Sequence, residues 1–192
     1  PVLTNQVSFS LLDRRAAGEM SDLCMETGVR LLCYGTLLGG FLSERWLGAA
    51  EPDWDTLSTW SQMKYGRFIR AAGGWAPFQG VLRAAHTVAT KHGVSIAPVA
   101  RVIVGARLGQ SAHVADTAQL FTFTLDDDDR RTIADAQATL TAIPGDCGDE
   151  YRQAPYLTAS GDLSHHVSQF PAPFTTRPGV NGRTLALSGT VW

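Results

Sequence analysis

The chain reads as an α/β protein organised on a parallel sheet, and three stretches predict that class. Residues 2–34 run strand, helix, strand within the length of a single right-handed βαβ unit. Val102, Ile103 and Val104 form a second β-branched run, which passes through Gly105 into a helical pattern. Between them lie two long apolar-periodic segments, over 57–72 and 77–93, that predict helices.

Taken in order, residues 2–12 are rich in β-formers. The helix that follows carries Met20, Leu23 and Cys24 on one apolar face and stops at Gly28. Residues 29–34 are almost continuously apolar, which predicts a strand buried on both faces. Gly35-Thr36-Leu37-Leu38-Gly39-Gly40 then turns the chain. A long connection holds Trp46, Trp54 and Trp60, which read as core or interface anchors rather than base-stacking platforms. The helix over 57–72 carries Trp60, Lys64, Phe68 and Ile69, and Gly73-Gly74 breaks it.

Pro77 falls in the first turn of the next helix, where a missing N–H costs nothing. Its stripe is Phe78, Val81, Leu82, Ala85, Val88 and Ala89, and it ends at Lys91, His92 and Gly93. Four acids, residues 126–129, precede the apolar series Ile133, Ala136, Leu140 and Ile143. That position favours a helix cap and dipole partner over a divalent cation site. Pro144-Gly145 ends this helix. Beyond about residue 145 the periodicity disappears among prolines, and the tail reads as extended and largely irregular. His165-His166 with Asp162 could bind a metal, but no further ligand at suitable spacing accompanies them. Residues 183–189 alternate like a strand with no partner in the tail.

Composition narrows the function classes. With 192 residues, 44% of them hydrophobic and 18% charged, the chain suits one soluble globular domain. A net charge of −2 leaves no basic surplus for nucleic acid. The apolar runs are far shorter than a membrane span. Cys24, Cys33 and Cys147 are odd in number and lack metal-ligand spacing, which favours a reduced, cytoplasmic setting. Both ends, Pro1-Val2-Leu3 and Val191-Trp192, look like cuts through something longer.

The most informative stretch is 102–117. Strand, glycine turn, Arg107 and a helix start at Ser111 make a unit suited to a phosphate group. Amide N–H groups and the positive helix end face an anion there, and a guanidinium can bind it with two hydrogen bonds. Ser111 is placed as N-cap of a helix marked by Val114, Ala118 and Phe121.

In order and spacing, residues 1–152 resemble the C-terminal half of an aldo/keto reductase, a (β/α)₈ TIM barrel that moves a hydride between NADP(H) and a carbonyl or alcohol. Asn5-Gln6-Val7 matches the family's sixth strand, Tyr34 with its small-residue turn the seventh, and Gly105-Ala106-Arg107 the turn after the eighth. The resemblance implies a role for each matching residue. Gln6 would hydrogen-bond the nicotinamide carboxamide, and Tyr34 would stack on the ring. Gly35, Thr36 and Leu37 would run along the pyrophosphate. In the cofactor-binding turn Gly105-Ala106-Arg107, Arg107 would be the cation on the 2′-phosphate, which favours NADP over NAD. Asp116 and Thr117 sit where the family places an acid and an asparagine near the adenine; Thr117 departs from that asparagine. The sites of such barrels lie at the C-terminal ends of the strands.

Two departures qualify the resemblance. The family's catalytic Asp, Tyr, Lys and His belong to the first half of the barrel, so no residue here is assigned a catalytic role, and Tyr34 and Lys64 are not drafted as substitutes. Between Lys91 and Arg107 the chain is also about ten residues short by analogy. Pro98 is expected to block helix continuation there and to lead directly into the strand. The tail, 153–192, reads as a linker. It resembles, over Asp162-Leu163-Ser164-His165-His166 and the final Ser188-Gly189-Thr190-Val191-Trp192, the linker and opening strand of a Rid-type imine deaminase.

Two functions are compatible with these readings. One is the cofactor-binding half of an NADP(H)-dependent carbonyl reductase acting on a small molecule, with no nucleic-acid or membrane partner. The other is a non-catalytic half-barrel that self-associates or pairs with another chain through open sheet edges.

Overall fold

The structure, a computed structural model, describes residues 2–100, 111–149, 176–178 and 184–186. Strand β1 (Thr4–Ser8) and strand β2 (Arg30–Tyr34) pair in parallel through helix α1 (Glu19–Thr27), as a βαβ unit requires. The register sets Thr4 beside Arg30, Gln6 beside Leu32 and Ser8 beside Tyr34. Gly28 closes α1 in the left-handed conformation, at φ 73°. Strand β1 is shorter than the β-rich run over 2–12. Past Phe9 the Ser10 hydroxyl accepts the amides of Leu12 and Asp13 at 3.2 and 3.0 Å, which turns the chain away from the sheet.

The sheet is more open than its composition predicts. Leu31, Leu32, Cys33 and Tyr34 are half-buried rather than covered on both faces. On α1 only Cys24 of the expected apolar face is buried, while Leu23 is 55% exposed. Among the described residues the parallel sheet has two strands, and the predicted strand over 102–104 lies outside them.

The core belongs to the helices. Helix α2 (Trp60–Ala71) begins three residues later than the apolar pattern, because the Thr59 hydroxyl caps it by accepting the Gln62 amide at 3.2 Å. Gly73 and Gly74, at φ 108° and 93°, separate it from helix α3 (Trp75–His92). All six stripe residues of α3 are buried. Leu38, Phe41, Leu42, Phe68 and Phe78 have no exposed surface, and Phe41 touches Trp46 and Phe78 at centroid separations of 4.9 and 6.3 Å. Trp75 joins this cluster, whereas Trp60 is 46% exposed. Buried Gln79 clips the 43–57 connection to α3, donating to the Trp46 carbonyl at 2.8 Å and accepting the Gly48 amide at 2.9 Å.

Pro98 does not stop a helix; it sits within one. Helix α4 (Ile96–Ala100) starts afresh after Gly93, and Pro98 occupies its first turn, where no amide donor is needed. All five of its residues are buried. The Glu44 carboxylate accepts the Ile96 amide at its start. Helix α5 (Ser111–Ala118) contains Ser111 as its first residue rather than as the cap. Its expected apolar stripe faces outward: Val114 and Ala118 are exposed, and Phe121 beyond the helix is 79% exposed.

Helix α6 (Asp127–Gln137) bears out the reading of the four acids. Asp126 is the N-cap, and a reciprocal capping box pairs its side chain with the Asp129 amide and the Asp129 side chain with its own amide. The helix ends at Gln137, well before Pro144, and Ile143 reaches the core from the following segment. In the tail, β4 (Thr184–Ala186) is not unpartnered. It pairs antiparallel with β3 (Thr176–Pro178), which corrects the expectation of a lone strand in an irregular tail. Asp162, His165 and His166 lie outside the described residues.

Candidate functional site

The two strands decide which side chains can act together. The Asn5 amide reaches the Met20 sulfur of α1 at 3.5 Å, so the odd positions of β1 face the helix. Alternation then sends Gln6 to the opposite face, together with the register-matched Leu32 and, one pair further along, Tyr34. Gln6 is exposed and Tyr34 half-buried, at the C-terminal end of the parallel pair. An amide side chain and an aromatic ring therefore share one accessible face. This is the arrangement that a planar ring bearing a carboxamide needs.

The turn after Tyr34 is tightly specified. Gly35 has φ 74°, and a Cβ there would overlap the Tyr65 hydroxyl. Its carbonyl accepts the Leu38 amide at 2.9 Å, and Leu38 itself holds a positive φ of 50° while fully buried. Among the described residues no group accepts from the Thr36 and Leu37 amides. Two successive backbone donors thus stand beyond a parallel strand end, where they fit an anion such as a pyrophosphate. The residues present suit a nicotinamide dinucleotide in donor type and placement.

Lys64 supplies the feature that sequence reading passed over. Its side chain comes from α2 and is 9% exposed. Its Nζ lies 5.0 Å from the Tyr34 ring centroid and 5.4 Å from that of Tyr65. A signal existed in the sequence: Lys64 stands midway between Trp60 and Phe68 at i±4, a cation on an apolar stripe.

The loop after β1 braces the same end of the sheet. Asp13, fully buried, accepts two hydrogen bonds of 2.8 Å from the Arg15 guanidinium, a bidentate pair. Arg15 also donates to the Asp146 carbonyl at 2.8 Å and lies over the Phe68 ring. These contacts are structural. Burial raises the Cys33 thiol above its ordinary pKa, so it is a poor nucleophile at neutral pH.

The adenine-side candidates are placed differently. Asp116 accepts the Ser95 hydroxyl at 2.6 Å, which ties α5 to the start of α4 and commits one carboxylate oxygen. Thr117 lies beside it and is partly buried. Gly105, Ala106 and Arg107, the predicted phosphate turn, lie outside the described residues. Among the described residues no group of three His, Cys, Asp or Glu side chains could hold a metal ion, and no helix is long and apolar enough to cross a membrane.

Comparison with known proteins agrees with this geometry. The model of the aldo/keto reductase family matches residues 1–138, and the match stops before the tail. Over 102 residues the chain is 36% identical to flagellar radial spoke protein 5 of Chlamydomonas reinhardtii. That stretch covers 52% of this chain and 19% of the relative, so it spans about a fifth of the relative's length. The matched family is one of oxidoreductases built on a (β/α)₈ barrel, and it generally uses NAD(P)H. By the extent of the match, the chain belongs to the aldo/keto reductase family.

Proposed function

We propose that this chain carries the cofactor-contacting side of an NADP(H)-dependent carbonyl reductase. The observation that carries the reading is the shared face of Gln6 and Tyr34, followed at once by the Thr36 and Leu37 amides. Gln6 would hold the carboxamide and Tyr34 would stack on the nicotinamide, leaving the ring's other side open for hydride transfer. The turn amides would meet the pyrophosphate, and Arg107 within Gly105-Ala106-Arg107 would meet the 2′-phosphate. Bound there, the cofactor supplies the hydride; this chain's residues orient it. No described residue is assigned as the proton donor to the carbonyl oxygen.

Tryptophan fluorescence titrated with NADPH tests the reading. Saturable, weak binding is expected, and Gln6→Ala should weaken it by about five-fold, the worth of one hydrogen bond. Binding unaffected by Gln6→Ala and Tyr34→Leu together would remove the reading's footing.

A second reading rests on another observation. Val2, Leu3 and Met25 are exposed beside β1 and α1, and the similar Chlamydomonas protein is named for an assembly, the flagellar radial spoke. In that reading the chain acts by association with a second copy or another chain. Light scattering behind size exclusion separates the two: a defined dimer supports association, a monomer opposes it.

A further inference from the structure

Among the described residues β1 pairs with β2 alone, which leaves its other edge open. The ladder fixes which backbone groups point there. The Arg30 amide donates to the Leu3 carbonyl at 2.9 Å and the Phe9 amide to the Tyr34 carbonyl at 3.1 Å, so the odd positions bond to β2. Alternation therefore turns the N–H and C=O groups of Thr4 and Gln6 to the open side. Residues 2–4 and Gln6 are exposed, whereas Val7 and Ser8 are buried, so the accessible part of this edge is its first half.

Exposed edges are ordinarily guarded by charge or proline, and residues 2–12 contain neither. Val2 and Leu3 are instead 73% and 71% exposed. The helix over this edge is thinly covered too, with Cys24 its one buried residue. Met25 lines a groove with Val29, Arg30 and Leu31 on the β2 side. Leu23, about 160° round the helix from Met25, falls on the β1 side and is largely exposed. Glu19, Asp22 and Glu26 occupy the arc opposite Cys24 and so point away from the sheet.

We propose that this edge pairs with the same edge of a second copy of the chain, antiparallel about a two-fold axis at Thr4. The inference rests on the association reading given above and commits it to one partner. In that register Thr4 faces the second copy's Thr4, Val2 faces its Gln6 and Leu3 faces its Asn5. Threonine pairs favourably with threonine across antiparallel strands, and Val2, Leu3 and Leu23 leave water. Charge is compatible with a second copy, because the edge carries none and the acids of α1 are turned outward. The pairing uses the edge once on each chain and closes at two. Side chains on the Gln6 face keep their orientation, so the association surface is separate from the proposed cofactor contacts.

The test uses the full 192-residue chain. Analytical ultracentrifugation over a concentration series should show a monomer–dimer equilibrium. Thr4→Lys and Thr4→Glu each set like charges across the axis, and each alone should weaken the dimer by about five-fold. Mixed in equal amounts, the two variants should recover it as a mixed pair; no recovery would overturn the proposal. A second measurement needs no variant. In the parent chain the Thr4 and Gln6 amides should exchange with solvent more slowly as concentration rises. A dimer whose Thr4 and Gln6 amides exchange at one rate throughout overturns the edge pairing and leaves the association reading standing. A parent that stays monomeric overturns both, and assemblies growing beyond two copies overturn the two-fold arrangement.

Discussion

The sheet unit and the helical unit of this chain are built on opposite terms. In β1, α1 and β2 most side chains are exposed or half-buried, and the notable contacts are polar or mixed: Gln6 open to solvent, Asn5 on a sulfur, Lys64 on Tyr34. In α2, α3 and α4 side chains such as Phe68, Ile69, Phe78, Leu82 and Ile96 pack with no exposed surface. Stability in the described residues is therefore concentrated in the helices, and the groups proposed to face the cofactor lie on the thinly covered sheet. Functional surfaces tolerate such openness because a pocket cannot be filled by its own protein.

Substitutions can break this contrast, and the largest effect is expected in the helical unit. Phe78→Ala removes a fully buried ring from the aromatic cluster and should cost about 3–5 kcal/mol, read as a lowered midpoint in urea. A loss under about 1 kcal/mol would show that the core lies elsewhere. Gly35→Ala comes next. A left-handed φ and the Tyr65 hydroxyl both oppose the added methyl, at about 1–3 kcal/mol. Its effect on NADPH binding should exceed that of Phe78→Ala in any protein that remains folded, since it disturbs the turn amides directly.

Acid sharpens the contrast from another side. Asp129, buried at 2% exposure, accepts Lys91 at 2.8 Å and contacts His92 Nε2 at 2.7 Å, which locks the end of α3 to the start of α6. The Lys91 bond, then the His92 bond, hold the Asp129 carboxyl far below its usual 3.8, and Lys91 similarly lowers Asp126. A depressed carboxyl stabilises the fold fully above its unfolded value and loses that contribution as pH falls through its folded one. Lys91 is shifted upward from 10.5 by the same bonds, so its share persists below that value and fades as pH rises beyond it. Thermal melts should thus be flat from about pH 5 to 9 and fall below about 4. Lys91→Gln should move the acid midpoint upward; an unchanged midpoint would show that the cluster is not holding α3 to α6. The smallest effect belongs to α1, where Leu23→Ser should stay within about 0.5 kcal/mol because the side chain is already largely in water.

Much of this molecule is written locally. The βαβ unit, the Gly28 and Gly93 stops, the Gly73-Gly74 break, the α3 stripe and the cap before α6 all follow from neighbouring residues, because caps, turns and helical periodicity are short-range effects. The family resemblance gave Gln6 and Tyr34 roles on one ligand, while their shared face follows from the strand period together with the register in the structure. Other features were decided only by long-range packing. Pro98 enters a helix because Gly93 had already ended the previous one and Glu44, from a distant turn, meets the new N-terminus. Asp116 turns to Ser95, and α1 leaves Leu23 in water, because what covers a face depends on elements far away in the chain. Lys64 is the sharpest case. Its own segment marks it as a cation on an apolar stripe, but only the approach of β2 puts Tyr34 beneath it, and attraction between a charge and a ring depends on that placement in space.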